Sequence, residues 1–145
     1  MNATIEPAAW TDVPTIRGLL IDAGLPVEGL TTSPVQFWTA HREGMMLGAV
    51  GLERYAETGL LRSLVVAPAF RRIGVGAALV GALERQARSL GVVRLVLLTE
   101  TAEAFFRRHD YAVADRSAID GKVADSAQFR TCCPASAICM AKSIV

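Results

Sequence analysis

Apolar positions recur along this chain with two periods, one typical of helices and one typical of strands. The first set with a helical period consists of Val13, Ile16, Leu19, Leu20 and Ala23. It predicts a helix that buries this face in the core. Asp12 is a suitable N-cap, Pro14 would lie in the first turn, and Gly24 would end the helix.

A second helical set begins directly after Gly74. Its members are Val75, Ala78, Leu79, Leu83, Ala87 and Leu90. The set predicts an amphipathic helix that ends at Gly91, and a shorter helix is predicted over residues 101–109.

Strand-like segments occupy most of the remaining chain. They cover residues 35–40, 45–55, 60–66, 92–98, 111–114 and 137–141. The turn-forming residues at 42–44 and 56–59 join the first three segments into an antiparallel meander. The run 92–98 is apolar almost throughout, which predicts a central strand buried on both faces.

With one more strand before the first helix, the resulting element order is β-α-β-β-β-α-β-α-β-β. It predicts an α/β (α+β) fold in which helices cover both faces of a mixed, mostly antiparallel sheet. Residues 115–133 fit a loop, a short helix or a flap equally well.

The length and the charge of the chain reduce the number of functional classes to which it could belong. The chain has 145 residues, enough for one domain, residues 1–145, with its own core. Its 15 Lys and Arg residues nearly balance its 14 Asp and Glu residues, which argues against nucleic acid or a membrane as the main partner. No apolar run reaches the roughly 18 residues of a membrane span, and the N-terminus has no signal pattern. We therefore expect a cytoplasmic protein.

The segment Arg71-Arg72-Ile73-Gly74-Val75-Gly76 joins a predicted strand to the second helix. Its glycines allow a ligand to approach the backbone closely, and the first N–H groups of the helix favour an anion. Arg71 and Arg72 add positive charge. The segment predicts a pyrophosphate site, although two glycines before a helix can also serve packing alone.

This spacing (basic residue, two residues, Gly, one residue, Gly) resembles the coenzyme A loop of the GNAT N-acetyltransferase superfamily. The likeness extends over residues 64–68 before the loop and 77–79 after it. A dinucleotide loop fits less well because Leu79 stands where its third glycine would be, and the Gly-Lys-Ser/Thr of a Walker loop is absent.

The resemblance implies acetyl-CoA as a cosubstrate and a small-molecule amine as the acceptor, with no metal. The coenzyme-binding residues that it implies are Leu64, Val65, Val66, Arg71, Arg72, Ile73, Gly74, Val75, Gly76 and Ala77. A backbone amide, at Leu64 or Val65, would polarise the acetyl carbonyl.

Glu53 and Arg62 are the candidate catalytic side chains, together with the amide of Leu64. A four-residue turn at 56–59 would place Glu53 opposite Arg62, and a two-residue turn would shift the pairing but keep both on one face. Glu53 could accept the proton of the amine, anchor a cationic amine, or form only a cross-strand ion pair. Arg62 could instead hold an anionic group of the acceptor, and strand alternation predicts that Ser63 faces the other way.

A second block of the superfamily matches residues 99–111. Many members have a tyrosine near the coenzyme sulfur that protonates the departing thiolate, whereas this chain has Phe106. Asp110 stands where glycine is usual, and His109 lies at the C-terminus of the predicted short helix. The resemblance places Phe106 near the coenzyme. Because phenylalanine cannot donate a proton, either water is the acid, or the modest pKa of the thiol suffices, or catalysis is weak.

The three cysteines are Cys132, Cys133 and Cys139. Their odd number and the absence of a signal pattern argue against a disulfide framework, and no fourth ligand for zinc is apparent. Small buried side chains near the last strand are one interpretation, and thiols that face a ligand are the other.

The run Cys133-Pro134-Ala135-Ser136-Ala137-Ile138-Cys139-Met140, with residues 60–64 and Phe105-Phe106, resembles one GNAT branch. This branch comprises the small N-acetyltransferases of bacterial arsenic-resistance operons, so an arsenical or a phosphinic amino acid is implied as the acceptor. The alternative function is a non-catalytic protein that binds acetyl-CoA or a soft metal or metalloid. An exposed edge of the last strand would offer a route to a homodimer.

Overall fold

The computed structural model describes residues 2–32, 34–119, 121–126, 128–132 and 136–145, apart from the side chains of residues 131 and 132. Its strands are β1 (Thr4–Pro7), β2 (Val35–Arg42), β3 (Met45–Tyr55), β4 (Thr58–Val66), β5 (Arg94–Thr99), β6 (Ala112–Val113) and β7 (Ile138–Ser143). Its α-helices are α1 (Val13–Asp22), α2 (Val75–Ser89), α3 (Glu103–Arg108) and α4 (Gly121–Ala124).

The strands form one sheet in the order β1-β2-β3-β4-β5-β7-β6. All neighbouring pairs are antiparallel except β4 and β5, which are parallel. The predicted mixed, mostly antiparallel sheet is therefore confirmed.

Helices pack on both faces of this sheet, as predicted. On one face, α2 and Phe106 of α3 pack with Leu95 and Leu97 of β5. On the other face, Ile16 of α1 packs against β2, β3 and β4, and Val123 of α4 packs over β4 and β5. Burial of β5 from both sides explains its nearly continuous apolar sequence.

The turn between β3 and β4 is tighter than the four-residue turn considered above. Ala56 adopts φ +56°, and Tyr55 pairs directly with Thr58 across a two-residue turn. Arg62 therefore lies opposite Gly51 instead of Glu53. The register shifts by two residues, so Glu53 and Arg62 remain on one face.

A β-bulge interrupts β4 at Ser63. Ala49 pairs with Val65 and Gly51 with Arg62, so two residues of β4 face one residue of β3. Ser63 takes φ +57° at this point. The prediction that Ser63 faces away from Arg62 is wrong, because the bulge breaks the alternation of side chains, and Arg62 Nε lies 3.1 Å from Ser63 Oγ.

Smaller differences between the predicted and the observed structure occur at the ends of the elements. A 3₁₀ turn, Trp10–Asp12, precedes α1. The carboxylate of Asp12 accepts a hydrogen bond from the N–H of Ala9 (2.9 Å) instead of capping α1. Residues 115–132 contain a 3₁₀ turn (Arg116–Ala118), α4 and a π-helical turn (Gln128–Cys132). Among the described residues, no helix is both long and apolar enough to cross a membrane.

Candidate active site

The pairing of β4 with β5 covers only the first part of each strand. The last paired residues are Leu60 and Val96, and beyond them the two strands separate. The second half of β4 therefore presents its backbone edge to an opening between the strands. This opening lies at the carboxyl ends of two parallel strands, where open sheets commonly bind ligands.

Two connected spaces fill this opening. One is an open groove of about 720 Å³, and the other is a cavity of about 180 Å³. The residues that line both spaces are Ala23, Leu25, Leu64, Thr101 and Ala102. Leu64, whose amide was expected to polarise an acetyl group, thus lies where the two spaces meet.

The groove contains most of the residues predicted to bind the coenzyme. These are Leu64, Val65, Val66, Arg71, Arg72, Gly74, Gly76 and Ala77. Arg72 (φ +67°) and Gly74 (φ +94°) turn the backbone into the first turn of α2, which begins at Val75. Phe105, Arg108 and His109 form part of the opposite wall.

Three residues that were predicted to bind the coenzyme do not line the groove. The side chain of Val75 is 1% exposed and belongs to the core, and Ile73 is exposed but does not line the groove. Phe106 is buried against Tyr111, with 5.4 Å between ring centroids, and lines the cavity. Its neighbour Phe105 faces the groove instead.

The loop fits a bulky anionic cosubstrate. A Cβ atom on Gly76 would lie 3.4 Å from the ring of Phe105, so a larger side chain would fill the groove at the start of α2. Arg71 is held over the end of β4, because its Nε donates to the carbonyl oxygen of Val66 at 3.0 Å. A groove with three arginines and the first turn of a helix suits a pyrophosphate.

Glu53 and Arg62 form a buried ion pair. Arg62 Nη1 donates to Glu53 Oε2 at 2.7 Å, and neither side chain is exposed. The other oxygen of Glu53 accepts a hydrogen bond from the hydroxyl of Tyr55. Burial, followed by the hydrogen bond to Glu53 and the charge of Glu53, raises the pKa of Tyr55 well above its usual value.

Arg62 also ties the sheet to the loop that follows α1. Its Nη2 donates to the carbonyl oxygen of Glu28 at 2.8 Å, and its Nε donates to Ser63 Oγ. Arg62 lines the cavity, whereas Glu53 does not. Glu53 has both oxygens hydrogen-bonded and no exposed surface, which favours the ion pair among the three roles considered for it. Its role as a base stays a prediction.

Glu100 was not among the site residues predicted from the sequence. This residue directly follows β5, is exposed and lines the cavity. Its neighbour Thr99 is engaged locally, because Thr99 Oγ1 accepts a hydrogen bond from the N–H of Ala102 at 3.0 Å. Its position could have indicated a site in the sequence, because Glu100 is a carboxylate just after a buried strand and ligands commonly bind at such strand ends.

The chain's second tyrosine is also bonded to a carboxylate. Tyr111 donates to Glu84 Oε2 at 2.8 Å, and Lys142 Nζ lies 3.0 Å from the same oxygen. Burial, together with the charge of Glu84 and the hydrogen bond to it, raises the pKa of Tyr111 above its usual value. With Phe106 in the cavity, neither tyrosine of this chain is positioned to protonate a thiolate there.

Of the cysteines, only Cys139 is described with its side chain. It is buried in β7, as predicted, and burial raises the pKa of its thiol. Cys133 lies outside the described residues, as does the side chain of Cys132. The described residues contain no group of three or more His, Cys, Asp or Glu side chains that could hold a metal ion.

Comparison with protein families gives one match that covers more than half of the chain. The acetyltransferase (GNAT) domain matches residues 33–113. This range includes the meander, the coenzyme loop, α2, β5 and α3.

Individual relatives agree with this match. An amino-acid acetyltransferase of Pseudomonas syringae pv. syringae is 34% identical over 97 residues, which are 66% of this chain and 22% of that protein. An amino-acid acetyltransferase of Mycobacterium tuberculosis is 29% identical over 133 residues, 83% of this chain and 75% of that protein. The chain spans less than a third of the length of the first curated relatives that it matches.

Solved structures share the fold over the whole chain. N-acetylglutamate synthase from Neisseria gonorrhoeae, complexed with coenzyme A and N-acetyl-glutamate, superposes with a TM-score of 0.83 at 18% identity. The superposition covers 100% of this chain and 36% of the synthase. At this identity the likeness is one of fold.

Proposed function

This chain belongs to the GNAT acetyltransferase family, and from that premise we propose that it transfers an acetyl group from acetyl-CoA to the amine of a small amino acid. The observation that carries the proposal is the junction at Leu64 between a basic groove and a small cavity. A cosubstrate in the groove and an acceptor in the cavity would meet there.

The groove supplies the donor site in this proposal. The loop 71–76 and the first turn of α2 hold the pyrophosphate, and the separated half of β4 lies along the pantetheine arm. The amide of Leu64 or Val65 donates to the carbonyl oxygen as the amine attacks, which stabilises the negative charge that develops there.

The cavity supplies the acceptor site. Glu100 is exposed at its wall and takes two of the roles considered for Glu53, attracting the ammonium group and accepting its proton. Glu53 acts at a distance by holding Arg62 in place. The thiolate leaves without a tyrosine as proton donor, so water or the thiol's own acidity completes the reaction.

The acceptor class follows from the relatives and from the cavity. Two relatives are amino-acid acetyltransferases, and a volume of about 180 Å³ suits a small amino acid. Within this class we propose an arsenical or phosphinic amino acid, because residues 60–64, 105–106 and 133–140 resemble the arsenic-resistance branch. A cytoplasmic location would give access to acetyl-CoA.

The direct test is turnover of acetyl-CoA on a panel of amines, measured by mass spectrometry of the acetylated product. The panel contains L-glutamate, L-glutamine, L-methionine, a phosphinic amino acid and simple amines without an acid. We expect acetylation of at least one amino acid, with a loss of about 10²- to 10⁴-fold in kcat for Glu100→Gln. Binding of acetyl-CoA without acetylation of any amine would contradict the proposal.

That negative result would favour the alternative, a protein that binds acetyl-CoA without catalysis. Phe106 in the position of the usual tyrosine and the fully engaged Glu53 are the observations on its side. The metalloid version of this alternative gains no support from the described residues, since Cys139 is buried and they form no metal cluster.

A further inference from the structure

Ser63 occupies an unusual backbone position at the cavity wall. It is a non-glycine residue with φ +57°, at the bulge where β4 gains one residue relative to β3. The left-handed region is unfavourable for a serine, so the surrounding strands must impose it. The consequence is that Ser63 and Arg62 both line the cavity, which regular alternation would prevent.

The hydroxyl of Ser63 has a defined direction of donation. Arg62 Nε is a donor only, so Ser63 Oγ is the acceptor in their 3.1 Å contact. The hydroxyl hydrogen is therefore directed away from Arg62. A nearby guanidinium polarises this hydroxyl and makes it a stronger donor.

Each nitrogen of the Arg62 guanidinium has a partner within the protein. Its Nη1 is bound by Glu53 and its Nη2 by the carbonyl oxygen of Glu28. Both contacts are shorter than 3 Å, and the side chain is not exposed. Ser63 Oγ, which accepts the Nε hydrogen bond, lines the cavity beside Arg62.

Ser63 lines the cavity but not the coenzyme groove. It is therefore positioned for the acceptor and not for the thioester. We propose that the hydroxyl of Ser63, polarised by Arg62, donates a hydrogen bond to an anionic oxygen of the acceptor, and so selects amino acids over simple amines. The inference rests on the proposed acetyl transfer and adds to it that the acid group lies on the β4 side of the cavity, with Glu100 receiving the amine.

The test compares each acid with its own amide. Two pairs serve as probes, L-glutamate with its α-amide, and L-methionine with L-methioninamide. For each pair the ratio of kcat/KM, acid over amide, is measured in the wild type, Ser63→Ala and Ser63→Gly. Equilibrium binding of the same four compounds to the protein–coenzyme A complex gives a second ratio that needs no turnover.

The two variants separate a hydroxyl effect from a backbone effect. Glycine accepts φ +57° without strain, so Ser63→Gly should preserve the bulge even if Ser63→Ala folds poorly. We expect the wild type to prefer at least one acid by about 10- to 100-fold, the range of one charge-assisted hydrogen bond. Ser63→Gly should lose that preference while its affinity for coenzyme A changes less than twofold.

Three results would overturn the inference: a wild type that does not prefer either acid, a wild type that binds neither, or a Ser63→Gly variant that keeps the preference. If no compound is acetylated, the proposed transfer fails, and the binding ratio alone decides the role of Ser63. If amines are acetylated without preference for the acid, the transfer stands and the role of Ser63 is rejected.

Discussion

Arg62 Nη1 and Glu53 Oε2 are 2.7 Å apart in a pair whose side chains are both fully buried. A second ion pair, Arg107 with Glu103 on α3, has the same separation of 2.7 Å but is exposed to solvent. The two pairs share distance and charge and differ in burial. Removing one partner of a buried pair leaves a desolvated charge, whereas exposed ions are solvated by water.

Glu53→Gln should therefore lower the free energy of unfolding by about 3–5 kcal/mol. The matched change Glu103→Gln should cost no more than about 0.5 kcal/mol. Urea unfolding of both variants measures the difference. If both variants lost the same small amount of unfolding free energy, the Glu53–Arg62 pair would contribute no more to stability than a surface pair.

Gly76 should be required for coenzyme binding because its missing side chain leaves room beside Phe105. We expect Gly76→Val to weaken acetyl-CoA binding by at least about tenfold. The valine side chain would occupy part of the groove and displace the coenzyme from its contacts there. Gly81→Ala, later in α2, is the control, because its Cβ would meet only the flexible end of Arg85. Calorimetric titration with acetyl-CoA would show the contrast, and unchanged affinity in a folded Gly76→Val protein would reject the groove as the site.

Asp110 follows α3 with φ +71°, a conformation that glycine adopts at less cost. Asp110→Gly should raise the free energy of unfolding by about 0.5–1 kcal/mol. Glycine relieves the backbone strain of the folded state, but its greater conformational freedom in the unfolded chain offsets part of that gain. Asp110→Ala keeps the strain and should not stabilise. Thermal unfolding of the two variants distinguishes them, and a gain with alanine alone would exclude backbone strain as the cause.

Both tyrosines, Tyr55 and Tyr111, should resist ionisation in the folded protein. Their ordinary pKa is about 10, and burial beside Glu53 and Glu84 raises it in the folded state. The folded protein therefore retains these protons longer than the unfolded chain. The stability that they contribute is complete below pH 10 and is lost as the pH rises further.

Ultraviolet absorbance of tyrosinate measures this directly. At pH 10.5 the native protein should show much less tyrosinate than the protein unfolded in urea, and Tyr111→Phe should reduce the loss of stability above pH 10. A native titration that coincides with that of the unfolded chain would contradict the prediction.

The arrangement around Ser63 shows why the site was only partly predictable. The pairing of Glu53 and Arg62 on one face followed from period-two alternation in two adjacent strands. Ser63 was assigned to the wrong side because a bulge leaves no mark in an apolar strand sequence that reads as regular. Glu100 was missed because its place at the cavity depends on the separation of β5 from β4, which no local pattern encodes.

Local chemistry in the sequence determined the element order, the buried central strand and the glycine–arginine loop at the start of α2. Periodicity and turn chemistry act over a few neighbouring residues, so they can be read from the chain itself. Tertiary structure decided which side chains meet in the cavity. The tight turn at Ala56, the bulge at Ser63 and the divergence of β4 from β5 each depend on packing between distant segments. Burial of Glu53 is likewise a tertiary effect, since both of its oxygens are hydrogen-bonded, to Arg62 and Tyr55, and its side chain has no exposed surface.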